Sequence, residues 1–154
     1  MSEFSRDPTV GVASGCILDI TAKVNLVPNF GPEKVFNVYS EDDLLDRSNR
    51  VGVKMPFVGI MYEGSKPAQG DLSRQGMAAE TFVAVVLGVT SKSIGNVDSR
   101  NEATMYLDAI RAQIRTTRSP TGHKWKWGGE SFAGVIGNVN IYIQRWSTFT
   151  ALTG

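Results

Sequence analysis

The sequence predicts an α+β domain: a mostly antiparallel sheet of about four to five strands, with helices packed mainly on one face. Three features carry this expectation. Two runs, Phe57–Tyr62 and Phe82–Leu87, are apolar at nearly every position, as strands inside a covered sheet are. Ala103, Tyr106, Leu107, Ile110 and Ile114 recur at helical spacing, with Arg100, Glu102, Asp108, Arg111 and Arg115 off the stripe. The chain then closes on a two-faced stretch, with Val139, Ile141 and Ile143 on one face, Asn140, Tyr142, Gln144 and Trp146 on the other, and Arg145 joining the first. Strands grouped in pairs between helices suit an α+β layering better than a repeating βαβ pattern.

The elements follow in order. Asp7-Pro8 is a good helix start, and Val10, Ala13, Ile17, Ile20 and Val24 continue at helical spacing. Gly11 and Gly15 each cost that helix about 1 kcal/mol relative to alanine. Pro28, Gly31 and Pro32 end it. A short strand is expected at Lys34–Tyr39, after which Ser40 caps a helical turn carrying Glu41, Asp42, Asp43 and Asp46 near its positive end. Strands at 55–62 and 80–89 flank a long polar loop, about 64–78, with Lys66, Gly70, Arg74 and Gly76. A helix at 96–117 takes Asp98 or Ser99 as its cap and stops before Ser119-Pro120-Thr121-Gly122. Two strands, 123–127 and 139–150, close the chain, with a glycine-rich connection from Gly128 to Gly137.

One domain accounts for all 154 residues, since no repeat, linker or biased tract divides them. Net charge is +1, so no global field points to nucleic acid or membrane. No apolar run approaches the roughly 20 residues of a spanning helix, and Met1–Asp7 lacks the pattern of a signal peptide. The expectation is synthesis in the cytoplasm. The single cysteine, Cys16, excludes an intrachain disulfide and reads as a small core residue.

A search for chemistry predicts neither an enzyme nor a cofactor or metal site. A Ser-His-Asp relay needs a histidine, and His123, the only one, sits in a basic aromatic stretch without a neighbouring carboxylate. The acids at 41–46 lack the alternation and glycine of a calcium loop. Gly64-Ser65-Lys66 and Gly70 lack the spacing of a phosphate-binding loop.

Two surface features stand out instead. Between Arg111 and Lys126 lie five basic residues, one histidine and no acid, and two tryptophans accompany them. Arg111, Arg115, Arg118, Lys124 and Lys126 are therefore expected to meet a partner, with Trp125 and Trp127 at the contact, or to face phosphates without sequence specificity if the patch lines a channel. Indoles and cations together also serve single-strand stacking, the nucleic-acid alternative, although tryptophan and arginine dominate protein–protein hot spots. In the closing strand, Val139, Ile141 and Ile143 share one face and Asn140, Tyr142, Gln144 and Trp146 the other. That second face fits a surface covered in an assembly, or one covered by a helix of the same chain. Lys66, Arg74, Trp125, Trp127, Tyr142, Gln144 and Trp146 are the expected interface residues.

The order of segments resembles bacteriophage tail terminator proteins. The resemblance rests on an amino-terminal helix, Pro56-Phe57-Val58-Gly59-Ile60-Met61-Tyr62-Glu63-Gly64, a polar loop, Phe82-Val83-Ala84-Val85-Val86-Leu87, Tyr106-Leu107-Asp108-Ala109-Ile110-Arg111, and Tyr142-Ile143-Gln144-Arg145-Trp146-Ser147-Thr148. It spans residues 8–150 as a pattern of residue types rather than an invariant signature. It implies a virion subunit, assembled in the host cytoplasm, that forms a hexameric ring ending the tail tube and offering the head its attachment surface. Tail tube, sheath and head-neck proteins are the implied partners, DNA passes without sequence-specific contact, and no catalytic residue carries over. Another head–tail joining or stopper protein is the neighbouring alternative, and a small nucleic-acid-binding module the more distant one.

Overall fold

A computed structural model describes residues 12–40, 42–43, 46, 55–67, 78–90, 99–120 and 122–151. Helix α1 spans Val12–Asn25 and strand β1 Val35–Val38, with a short 3-10 turn at Pro32–Lys34 between them. Strands β2 (Phe57–Pro67) and β3 (Ala78–Thr90), helix α2 (Ser99–Arg115), and strands β4 (Lys126–Ile136) and β5 (Val139–Ala151) follow. The five strands form one sheet in the order β1-β2-β3-β5-β4. All neighbours are antiparallel except β1 and β2, so the expected α+β fold with a mostly antiparallel sheet is what the chain adopts.

Both helices lie on one face of the sheet because their apolar stripes and the inward residues of β2, β3 and β5 bury one another. Cys16, Ile20 and Val24 of α1 and Ala103, Leu107, Ile110 and Ile114 of α2 pack with Val58, Ile60, Val83, Val85, Leu87 and Trp146. Fully burying an aliphatic side chain of this size stabilises by about 1.5–3 kcal/mol. The opposite face carries a second buried cluster that includes Phe57, Ala84, Val86, Val139, Ile141 and Ile143. Both faces of β2 and β3 are thus covered, which explains their unbroken apolar sequences. Gly88 belongs to this second face: a Cβ there would stand 2.4 Å from the Phe57 ring, so the ring occupies the space a side chain would need.

Several boundaries differ from expectation. Strand β2 continues to Pro67, so Gly64–Pro67 belong to the sheet and Lys66 sits on a strand rather than in a loop. A register shift between Tyr62 and Gly64, with Gly64 at φ 109°, lets the strand continue. The glycines from 128 to 137 do not form a connection. Gly129 (φ 102°) and Gly134 (φ 129°) sit at two irregularities within β4, and Gly137 (φ 61°) opens a two-residue hairpin with Asn138. Positive φ at the first central residue alone is the pattern of a type II′ turn, which glycine accommodates. Arg74, the Asp7-Pro8 helix start and the Asp98 cap lie outside the described residues.

Candidate subunit interface

The expected interface residues separate into two groups once burial is considered. Trp146 is 1% exposed and Gln144 fully buried. Helix α2 covers their face of β5: Gln144 Nε2 donates to the Leu107 carbonyl at 3.1 Å and to Glu130 Oε1 at 2.9 Å. Trp146 Nε1 in turn donates to Gln144 Oε1 at 2.7 Å. Every polar atom of the amide is therefore engaged inside the chain, as a buried amide requires. Trp125 is also buried, and its Nε1 donates to Asp19 Oδ2 on α1 at 2.8 Å. The expectation that Trp125, Gln144 and Trp146 face a partner is corrected: they lie in the core of this fold. The amphipathic side chains of β5 satisfy a helix of the same chain. Tyr142 is half-buried, with its ring 5.3 Å from that of Phe132.

The outermost strand, β4, holds the exposed group. Its pleat turns Trp127, Phe132 and Val135 toward the helix side of the sheet, but among the described residues no strand lies beyond β4. They stay 47%, 53% and 55% exposed. Sequence reasoning placed only Trp127 in an interface. Phe132 and Val135 fell in what looked like a glycine-rich connection, where the strand period was hidden by the two irregularities. Lys66, on the far side of the sheet, is exposed above the Phe82 ring at 5.4 Å, a cation–π contact.

The basic stretch divides as well. Arg111 is half-buried: Nη1 and Nη2 donate to Asp108 Oδ1 at 2.9 and 2.7 Å, and Nη2 reaches Glu130 Oε2 at 3.2 Å. Its guanidinium lies 5.2 Å from the Trp127 ring centroid. These contacts hold Arg111 to β4 and meet its charge within the chain. Arg115, Arg118, Lys124 and Lys126 are exposed and have no carboxylate partner among the described residues. The segment that carries Arg118 and Lys124 is pinned by Ser119 N donating to the His123 carbonyl at 2.8 Å and by Thr148 Oγ1 against Ser119 Oγ at 3.0 Å. The positive charge is therefore presented on a fixed turn.

Among the described residues, two groups have clearly displaced pKa values. Burial, reinforced by the Asp19 carboxylate, pushes the Cys16 thiol from 9.0 up to about 11, which makes it a poor nucleophile at neutral pH. Burial and the hydrogen bond to Glu102 raise Tyr106 to about 12. Among the described residues no cluster of three or more His, Cys, Asp or Glu could hold a metal ion. No helix of the described residues is long and apolar enough to cross a membrane.

A scan against protein-family models finds no match, and a search of curated proteins finds no significant relative.

Proposed function

We propose that this chain is a structural virion subunit that forms a ring at the head-proximal end of a phage tail. There it stops growth of the tube and offers a surface to the head. The observation that carries the reading is the outermost strand, which gives water a tryptophan, a phenylalanine and a valine on one face. Apolar side chains gathered along one edge favour association with another protein surface. The resemblance in segment order supports the kind of assembly: an amino-terminal helix, a strand pair, a second helix and a closing strand follow one another as the resemblance implies for a terminator subunit. The ring is hexameric in that reading, and its partners are the tail tube, the sheath of a contractile tail and the head-neck proteins.

Arg118 and Lys124 on the pinned turn, with Arg115 at the end of α2 and Lys126 at the start of β4, are exposed and favour a secondary role as a backbone-facing surface for passing DNA. With Trp125 buried, base stacking by a Trp125/Trp127 pair loses one of its platforms.

Negative-stain imaging of tail tubes assembled with and without the chain tests the reading. A ring at one tube end and a single tube length are expected with the protein present. Tubes that grow without limit and carry no added density would overturn it.

A further inference from the structure

The two lateral edges of the sheet carry complementary chemistry at the same height. Strand registers define one transverse row, Tyr62 opposite Val83, Val83 opposite Trp146, and Trp146 opposite Trp127. At the far edge β1 ends with Val38 opposite Met61, which places Tyr39, the next residue, level with Tyr62. This row therefore has an exposed aromatic ring at each end: Tyr39, 87% exposed, beyond β1, and Trp127 on β4. The two are separated by four strand spacings, roughly 19 Å.

Asp42 and Lys126, exposed charges close to these rings in sequence, have opposite sign. Tyr39 stands beside acids: its backbone N–H donates to Asp43 Oδ2 at 3.0 Å, while Ser40 Oγ accepts from the Asp43 N–H at 3.1 Å. Asp42, which precedes Asp43, is exposed. Lys126 precedes Trp127 at the same edge with its side chain on the opposite face of β4. It is exposed and has no carboxylate partner among the described residues, while the Trp127 ring itself lies against Arg111.

We infer that copies of this chain associate side by side, the Tyr39–Asp42 corner of one copy meeting the Lys126–Trp127 edge of the next. The inference rests on the ring reading and assigns its subunit contact. Because both corners occupy one row, neighbouring copies keep the same orientation, as a head-to-tail interface that closes by rotation requires. The irregularities at Gly129 and Gly134 interrupt the outer edge of β4, to which no described strand pairs, and oppose continuous strand pairing, so side chains make the contact. Aromatic rings supply the buried area and the charges fix partner and orientation.

Charge exchange tests it, read by mass photometry and sedimentation velocity on the full chain. Asp42→Lys and Lys126→Asp, both at exposed positions, are each expected to weaken self-association by at least about tenfold. An equimolar mixture of the two variants restores assembly, since each copy then meets its complement, and the double variant restores it alone. Trp127→Ala lowers association without rescue by either charge change. Rings that form undiminished in both single variants would overturn this contact while leaving the ring reading in place. A wild-type chain that stays monomeric at every concentration would overturn both.

Discussion

Trp125 Nε1 donates to Asp19 Oδ2 at 2.8 Å, and the same oxygen accepts from Lys23 Nζ at 2.8 Å. Lys23 is only 6% exposed and also reaches the Arg118 carbonyl at 3.2 Å, just beyond the C-terminal end of α2. A cation placed there meets the negative end of the helix. One carboxylate thus joins α1, the end of α2 and the approach to β4. Asp19→Ala would leave an indole N–H and an ammonium without their acceptor. A loss of about 2–4 kcal/mol is expected, between an orphaned polar group and a broken buried ion pair. Urea denaturation checks it, and Asp19→Asn, which keeps an acceptor but not the charge, should lose less.

Gly88 lies under the Phe57 ring, with 2.4 Å between the ring and a Cβ placed there. Gly88→Ala forces the ring aside and is expected to cost about 1–3 kcal/mol. Phe57→Leu in the same chain should recover part of that loss, so the two substitutions together cost less than their sum. A denaturation midpoint series on the three variants decides this. Strict additivity would mean that the ring does not occupy the glycine's space.

The three tryptophans differ sharply in exposure: 6% for Trp125, 1% for Trp146 and 47% for Trp127. Acrylamide should therefore quench one part of the fluorescence easily and leave the rest protected. Trp127→Phe removes the accessible part and shifts the remaining emission to shorter wavelength. Its stability cost should stay within about 1 kcal/mol, the scale of an exposed cation–π contact with Arg111.

Cys16 is protonated in the fold to higher pH than in the unfolded chain, since burial raises its pKa to about 11. Above the ordinary value of 9.0 the unfolded chain gives up this proton while the folded chain keeps it, so stability falls as pH rises from about 9 to 11. Below pH 9 this contribution is fully present. Denaturation at pH 8 to 11 should show a shallower decline in Cys16→Ala than in the native chain. A thiol reagent at pH 8 should react only on unfolding.

Much of the fold was legible because periodicity survived in the sequence. The stripe from Ala103 to Ile114 and the apolar runs of β2 and β3 have one structural solution each, and the two-layer arrangement follows from covering them. Position within the sheet was not legible in the same way. Nothing local to Tyr142–Trp146 says whether a partner or α2 covers that face, and the Leu107 carbonyl that binds Gln144 is 37 residues away. The parallel pairing of β1 was hidden for the same reason, since a strand of four residues carries little pattern. In β4 the glycines resembled a connection because each irregularity breaks the alternation that marks a strand. The exposed edge of Trp127, Phe132 and Val135 therefore emerged only with the topology.

Mass measurement of the native, unmodified chain over a range of concentrations tests the ring reading most directly, with images of the same sample. A closed ring of identical subunits is expected, six by the resemblance, accumulating as concentration rises and capping tail tubes when they are added. A single monomeric species at all concentrations, with no density added at the end of a tube, would contradict it.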